Sequence, residues 1–312
     1  MSNHSFSIII PTLGNDTAFM LNRTLTSIAS SDIPTTLQEI VVVENGYEGR
    51  AKYVCDSFKD SLPIVYLLSH NKGSSAARNL GAMNSSGDIL IFFDDDIRIS
   101  IDTLTSYNRA FQALGTTCFY GGPVAIDYEK EPDSYLVPFL PDSARGFSLG
   151  NEDLFIDKSE KLFLGANHAI PRKAFSITHG FDELGTTGRN VGFIGEETRI
   201  QEKLILNGLK GFYISNALIW HHVPQDSCNE RWLIDRYYRR GQTEAATSNS
   251  HSKLFAGSPR WAWRKLAENT INRLALKLIN SDRSKQLELL LETSRLRGLI
   301  DAYKSKSITE IK

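Results

Sequence analysis

Short apolar runs alternate with helical patterns through the first third of the chain, and this rhythm restricts the fold more than any other feature. FSIII (Phe6–Ile10), EIVVVEN, IVYLL and ILIFF each have the length and apolar continuity of a buried strand. A turn at PTLGND follows the first run, and a helix predicted from Asp16 sets Leu21, Leu25 and Ile28 on one face. Between the last two runs, NKGSSAARNLGAMNSSG reads as a Ser-capped, Ala-rich helix closed by Gly87. Strand, helix and strand in this order predict an α/β fold with a Rossmann-like, doubly wound, mostly parallel sheet. Ligands of such sheets bind outside the carboxyl ends of the strands. Thr12, Glu44 and the triplet Asp94, Asp95 and Asp96 all fall at such ends.

The triplet follows directly on ILIFF, in DILIFFDDDIRIS. Three adjacent carboxylates repel one another, and burying any of them is costly. On extended chain Asp94 and Asp96 share a face while Asp95 points elsewhere. Two hard oxygen ligands on one face suit Mg²⁺ or Mn²⁺, and the cation relieves the repulsion. Taken alone, so short a triplet more often serves as turn and helix-capping aspartates at a strand end.

From about 117 to 164 the pattern loosens into Gly, Pro and acidic residues, read as irregular segments over the sheet. Order returns with LFLGANHAI, a Gly-rich loop over 180–195, a helix from Glu196 to about Asn207 and a strand ending ALIWHHVP. Three helical segments follow, near 229–247, 260–280 and 284–304. The expected organisation is a catalytic domain over 1–225, divided near 116 and 117, and a helical region over 226–312. Residues 231–312 hold 17 Lys plus Arg against 8 Asp plus Glu, a net +9 in a chain whose overall charge is −1. On the middle helix Trp263, Leu266, Ala267, Ile271, Leu274 and Leu278 share a face. Core packing, a homodimer contact or an anionic membrane surface would each use such a stripe. No nucleic-acid partner is expected. Cys55, Cys118 and Cys228 form neither a disulfide framework nor a metal pattern. There is no charged leader, and no apolar run nears the about 18 residues of a spanning helix. These features predict a cytoplasmic protein, soluble or peripheral on the inner face of a membrane.

The ordered series IIIPTLGN, IVVVENG, NKGSSAARNLGAMNSSGDILIFFDDD, LGANHAIPRKAF, GFDE, GEETRI and WHHVP closely resembles family 2 glycosyltransferases of the GT-A fold. The resemblance covers residues 6 to about 246 and implies an inverting transferase that uses a nucleotide-sugar, with UDP the first carrier to test. It places Asp94 at the ribose and Asp96 on a Mn²⁺ or Mg²⁺ ion, with Asp95 between them. Pro11, Thr12, Glu44 and Asn45 would line the base and ribose pocket, although the family usually has Asp where Glu44 stands. Arg78 would reach the base or the diphosphate, and Gly165, Ala166 and Asn167 would lie along the donor sugar. The family's acidic pair, usually Glu-Asp, is Glu196 and Glu197 here. Glu197 would be the general base and Glu196 would orient the acceptor or loop, but the longer side chain leaves the choice between these neighbours open. His221 would complete the metal or diphosphate site, whereas His168 is read as structural. Asp182 and Arg189, in the Gly-rich loop, would contact a saccharide or glycolipid acceptor of a cell-surface polysaccharide or glycolipid pathway.

Other readings fit less well. A nicotinamide enzyme needs G-x-G-x-x-G after the first strand, where PTLGND stands. A sugar nucleotidyltransferase needs a Gly-rich phosphate loop with Arg or Lys there. A phosphatase built on the aspartates would carry Thr or Val where Arg98 stands. A non-catalytic nucleotide-sugar-binding module need not keep the acids at 94, 96 and 197.

Overall fold

The computed structural model describes residues 3–14, 18–45, 49–71, 73–157, 162–182, 195–248, 253–278 and 282–309. The described residues of 1–127, 142–182 and 195–222 form one compact unit, and those of 128–141 and 223–309 form a second.

The first unit opens with β1 (Phe6–Thr12), α1 (Ala18–Ala29), β2 (Leu37–Glu44), α2 (Arg50–Ser57), β3 (Ile64–Leu68), α3 (Ser74–Met83) and β4 (Ile89–Phe93). It continues through β5 (Ile97–Ile99), α4 (Thr103–Leu114), β6 (Cys118–Gly121), β7 (Val124–Tyr128), α5 (Asp142–Arg145) and β8 (Leu154–Ile156). It ends with β9 (Asn167–Pro171), α6 (Arg172–Ile177), α7 (Glu196–Leu206), β10 (Lys210–Tyr213) and β11 (Ile219–Val223). An eight-stranded sheet runs in the order β3-β2-β1-β4-β9-β6-β10-β8. The first four strands of that order are mutually parallel, as are β6 and β10, while β9 and β8 run against their neighbours. The doubly wound, mostly parallel sheet expected from the apolar runs is therefore present.

Continuous apolar runs are needed because both faces of the sheet are covered. Ile8, Ile10, Val42, Ile91 and Phe93 pack on one side, while Ile9, Val41, Val43, Leu90 and Phe92 pack on the other. Helix α3 approaches so closely that a Cβ at Gly81 would lie 2.6 Å from Ile9 Cγ2. A second, three-stranded sheet, β5-β11-β7, extends from the end of β4. It brings the acidic triplet beside WHHVP through the antiparallel register of Ile97 with His221.

Three local expectations are corrected. Helix α3 is capped by Gly73 at φ 113°, not by a serine side chain, and it ends at Asn84. Gly87 instead allows close backbone packing, since its Cβ would fall 2.4 Å from the Phe6 carbonyl carbon. Residues 117–164 are not merely draped over the sheet, for they supply β6, β7 and β8. Strands of three to five residues interrupted by Gly-Gly-Pro carry too little period to be read locally.

The second unit contains α8 (Glu230–Thr247), the hairpin β12 (Leu254–Phe255) and β13 (Ser258–Pro259), α9 (Arg260–Leu278) and α10 (Arg283–Thr309). Helices α8 and α10 cross at two glycines. A Cβ at Gly241 would lie 1.9 Å from the Arg295 carbonyl oxygen, and one at Gly298 would lie 2.0 Å from that of Tyr238. The apolar stripe of α9 is split: Leu266 and Trp263 pack on the helical core, but Ile271 is 65% exposed and Leu274 61%. Among the described residues no helix is long and apolar enough to cross a membrane.

Candidate active site

The parallel strand β4 stops at Phe93, and a tight turn carries Asp94 to Asp96 into β5. Thr24 of α1 braces that turn, its hydroxyl 2.8 Å from the carbonyl oxygens of both Asp95 and Ile97 while accepting from Ile97 N–H at 3.1 Å. The acids are thus presented by fixed backbone at the carboxyl end of the sheet.

Asp94, Asp96 and His221 each offer a ligand atom within 4.8 Å of the others. His221 Nδ1 faces the Ser143 carbonyl oxygen at 2.8 Å, and because a carbonyl only accepts, the proton sits on Nδ1. Nε2 is thereby turned toward Asp96 Oδ1 at 3.4 Å. Apart from this 3.4 Å approach, that buried oxygen has no hydrogen-bond partner among the described residues. Burial works against a charge on His221, but Asp96 and then Asp94 outweigh it and lift its pKa to about 9. Two carboxylates and one imidazole so arranged fit a divalent cation, and the imidazole favours Mn²⁺ over Mg²⁺.

Arg78 reaches the same place from α3. Its guanidinium donates to Asp94 at 2.6 Å and to Glu196 at 3.3 Å, with its carbon 5.6 Å from the Phe181 ring centroid. Burial disfavours its charge, yet Asp94, Glu196 and Glu197 raise its pKa above the ordinary value. Ser74 donates to Glu196 at 2.7 Å. Glu197, the next residue of α7, lies against Gly165, where an added Cβ would sit 3.4 Å from its Cγ. Burial first, and then the charge of Glu196, push the Glu197 carboxyl above its ordinary pKa, against the opposing pull of Arg78. A carboxylate so shifted is a stronger base than an ordinary glutamate.

A cavity of about 100 Å³ brings several of these groups together. Arg78, Asp94, Glu196, Glu197 and His221 line it, as do Gly165, Ala166, Val124, Ser143 and Leu164. Asp95 is in the same turn but outside the cluster of ligand atoms. Asn167 lies beneath, fully buried: it accepts from the Tyr107 hydroxyl at 2.8 Å and donates to the carbonyls of Pro123 and Ala217 at 3.0 and 2.8 Å. His168 stacks on Phe92 with 5.1 Å between centroids, and burial drops its pKa to about 3.

The residues expected around the base stand at the ends of β1 and β2, away from this cavity's lining. Pro11 and Thr12 pair in register with Val43 and Glu44, and Asn45 N–H donates to the Thr12 carbonyl at 2.7 Å. Glu44 is fully buried and caps α2, accepting from the N–H groups of Arg50 and Ala51 at 3.2 and 3.0 Å and from the Tyr66 hydroxyl at 2.7 Å. Asp182 pairs with Lys203 at 2.6 Å and Arg199 at 3.5 Å, both on α7. Arg189 and most of the Gly-rich loop lie outside the described residues.

Sequence reasoning missed Ser74 and Ser143, the two groups that orient Glu196 and His221. Neither belongs to a motif, and a serine in a loop or first helical turn carries no signal of its partner. It also missed the Arg23, Asp127 and His222 cluster, in which Arg23 pairs with Asp127 and lies 3.3 Å from His222 Nδ1. The His222 N–H donates to the Asp96 carbonyl at 2.9 Å, so this cluster buttresses the acidic turn.

An open α/β sheet with acids gathered at the ends of its parallel strands defines the GT-A class. Two solved structures share the fold over their length. TarS 1–349 of S. aureus has TM-score 0.54, 15% identity, 99% of this chain and 92% of that one. The mannosyltransferase PcManGT of Pyrobaculum calidifontis, determined with GDP-Man and Mn²⁺, has TM-score 0.57, 17% identity, 100% of this chain and 89% of that one. The profile described as "Glycosyl transferase family 2" matches residues 7–175, and the chain belongs to that family. Succinoglycan biosynthesis protein ExoM of Rhizobium meliloti (strain 1021) is 26% identical over 247 residues, 76% of this chain and 71% of ExoM. Against the glycosyltransferase GlyA of Streptococcus pneumoniae, identity is 24% over 62% of this chain and 27% of GlyA, so the chain spans about a quarter of that relative.

Proposed function

We propose that the chain transfers a sugar, with inversion, from a nucleoside-diphosphate sugar to a hydroxyl of a saccharide or lipid-linked acceptor. UDP is the proposed carrier, and surface polysaccharide or glycolipid assembly, as the name of ExoM suggests, is the proposed setting. The observation that carries this reading is the meeting of Asp94, His221, Arg78 and Glu197 around one cavity, with Asp96 completing the ligand-atom cluster of Asp94 and His221.

Asp94, Asp96 and His221 would hold Mn²⁺ or Mg²⁺, which when bound supplies positive charge to neutralise a departing diphosphate. Arg78 adds a fixed cation to the same wall, its place set by Asp94 and Glu196. Glu197 takes the proton from the acceptor hydroxyl as that oxygen attacks the anomeric carbon on the face opposite the leaving group. Glu196, held by Ser74 and Arg78, fixes the first turn of α7 and raises the basicity of its neighbour. Gly165 and Ala166 leave room for a sugar against the backbone. Pro11, Thr12, Glu44 and Asn45 are proposed to border the base, and Asp182 with Arg189 the acceptor. Access to a lipid-linked acceptor would come through peripheral association of the helical unit with an anionic membrane surface.

Thermal melting with UDP and Mn²⁺, separately and together, tests the donor reading. Ligand that binds only the folded state raises the midpoint by mass action. The pair is expected to stabilise more than either alone, and no metal-dependent shift would overturn the assignment. A panel of nucleotide-sugars, assayed for metal-dependent hydrolysis, then identifies the donor.

A further inference from the structure

The hairpin before α9 presents apolar residues to solvent by design of its backbone. Ala256 at φ 47° and Gly257 at φ 77° make a two-residue left-handed turn, the geometry that closes tight hairpins. One strand is anchored: Ser258 and Pro259 are buried, and the Ser258 hydroxyl donates to the Ile300 carbonyl at 3.0 Å. The other strand presents Leu254, 53% exposed, and Phe255, 60% exposed. The tip is held against α9 by the Trp263 indole N–H, which donates to the Phe255 carbonyl at 3.0 Å. Four residues on from Trp263 the same face of α9 continues through Ala267 to the exposed Ile271 and Leu274. The tip and this side of α9 thus leave four large apolar side chains in solvent, and exposed apolar patches mark docking sites.

Charge selects the occupant. Lys253, Arg260 and Arg264 stand exposed beside the tip and the first turn of α9, in a segment of net charge +9. A twofold contact with a second copy would set these cations against themselves. An anionic bilayer satisfies both features, taking apolar tips below its headgroups and basic side chains at them. We propose that the β12–β13 tip and the outward face of α9 dock this unit on an anionic lipid surface. This deepens the peripheral-membrane reading above by naming the surface.

The full chain is floated with phosphatidylcholine vesicles, with and without phosphatidylglycerol. Binding is expected only to the anionic vesicles and is expected to be lost at about 1 M salt, where the screening length falls to about 3 Å. L254S/F255S is expected to lower the partition coefficient about tenfold or more, and R260Q/R264Q to lower it while flattening the salt dependence. All four side chains are exposed, and an unchanged melting temperature confirms folding. Wild-type protein that stays off anionic vesicles overturns both the membrane reading and this surface. Wild-type binding with unchanged binding by L254S/F255S overturns the surface alone. So does a wild-type dimer in sedimentation velocity that L254S/F255S converts to monomer. The transferase reading is judged apart from these, by the UDP and Mn²⁺ melting shift.

Discussion

The Arg78 guanidinium donates to Asp94 at 2.6 Å while its own side chain is only 7% exposed. The cation is buried while Asp94 keeps 29% of its side chain exposed, and Glu196 takes a second donor from the same guanidinium at 3.3 Å. Removing the cation leaves the Asp94 and Glu196 carboxylates without it and takes from Glu197 the opposing pull of Arg78. Arg78→Met is expected to cost about 3–5 kcal/mol of stability, the usual penalty for stranding buried charge. Arg78→Lys should recover part of the stability but little activity, since an ammonium lacks the planar fork. Chemical denaturation with turnover assays checks both, and a stable, fully active Arg78→Met protein would remove this residue from the site.

Glu197 and Glu196 are separable by kinetics and by pH. Glu197→Gln is expected to lower kcat by about 10²–10⁴-fold with a small change in KM, and Glu196→Gln to lower it less. If Glu197 is the proposed base it works only when deprotonated, and burial together with Glu196 holds its pKa above the ordinary value. Activity should therefore be lost as pH falls through a midpoint above the ordinary glutamate value of about 4.3. Neutralising Glu196 should move that midpoint down. A pH profile of kcat/KM measures it, and an acid limb unaffected by Glu196→Gln would contradict the coupling.

The halves of this site differ in how legible they are in sequence, and the reason is physical. The central strands β1, β2 and β4 carry buried apolar runs on both faces, and Asp94 and Asp96 at the end of β4 can be read directly. The two aspartates do approach His221 together, but a turn at Asp95 and Asp96, not strand alternation, brings them there. What brings His221 there is the register of β5 with β11, a pairing between distant short strands that leaves no local trace. Ser143 is less visible still, because it contributes only a backbone carbonyl. The α9 stripe reads as a helical face, but periodicity cannot tell which neighbour, if any, covers it.

Asn167 and its partners offer a test of support against contact. Its side chain accepts from Tyr107 and donates to two carbonyls, all inside the core. Asn167→Ala is expected to cost about 3 kcal/mol, because three buried groups lose their partner. Denaturant midpoints check this. A large rise in donor KM with unchanged stability would instead place the side chain on the sugar.

The Arg23 and Asp127 pair should make the stability of the acidic turn depend on pH. The hydrogen bond from Arg23 is the largest influence on Asp127 and holds its pKa below the ordinary value. Such a carboxylate contributes stability above its unfolded pKa of about 3.9 and loses it as pH falls through the lower folded value. Arg23→Gln should therefore lower the melting temperature at neutral pH and bring it close to wild type in strong acid. Parallel melts across this range decide it, and curves that run parallel at every pH would show that the pair stabilises nothing.

Glu44 gives the sharpest contrast between resemblance and geometry. The family resemblance implies an aspartate at this strand end to meet the nucleoside, whereas Glu44 is fully buried with three donors on its carboxylate. Its extra methylene reaches under Gly14, where an added Cβ would fall 2.2 Å from Oε1, and the φ of 77° at Gly14 further excludes other residues. The carboxylate also pushes the Tyr66 hydroxyl upward in pKa, adding to the effect of burial. Glu44→Gln replaces one acceptor oxygen by a donor facing other donors and is expected to cost about 1–3 kcal/mol. If Glu44 only caps α2, UDP affinity measured by calorimetry will be nearly unchanged once the protein is folded. If it also meets the base, affinity will fall about tenfold with the loss of one charge-assisted hydrogen bond, and the preference among nucleotide bases will loosen with it.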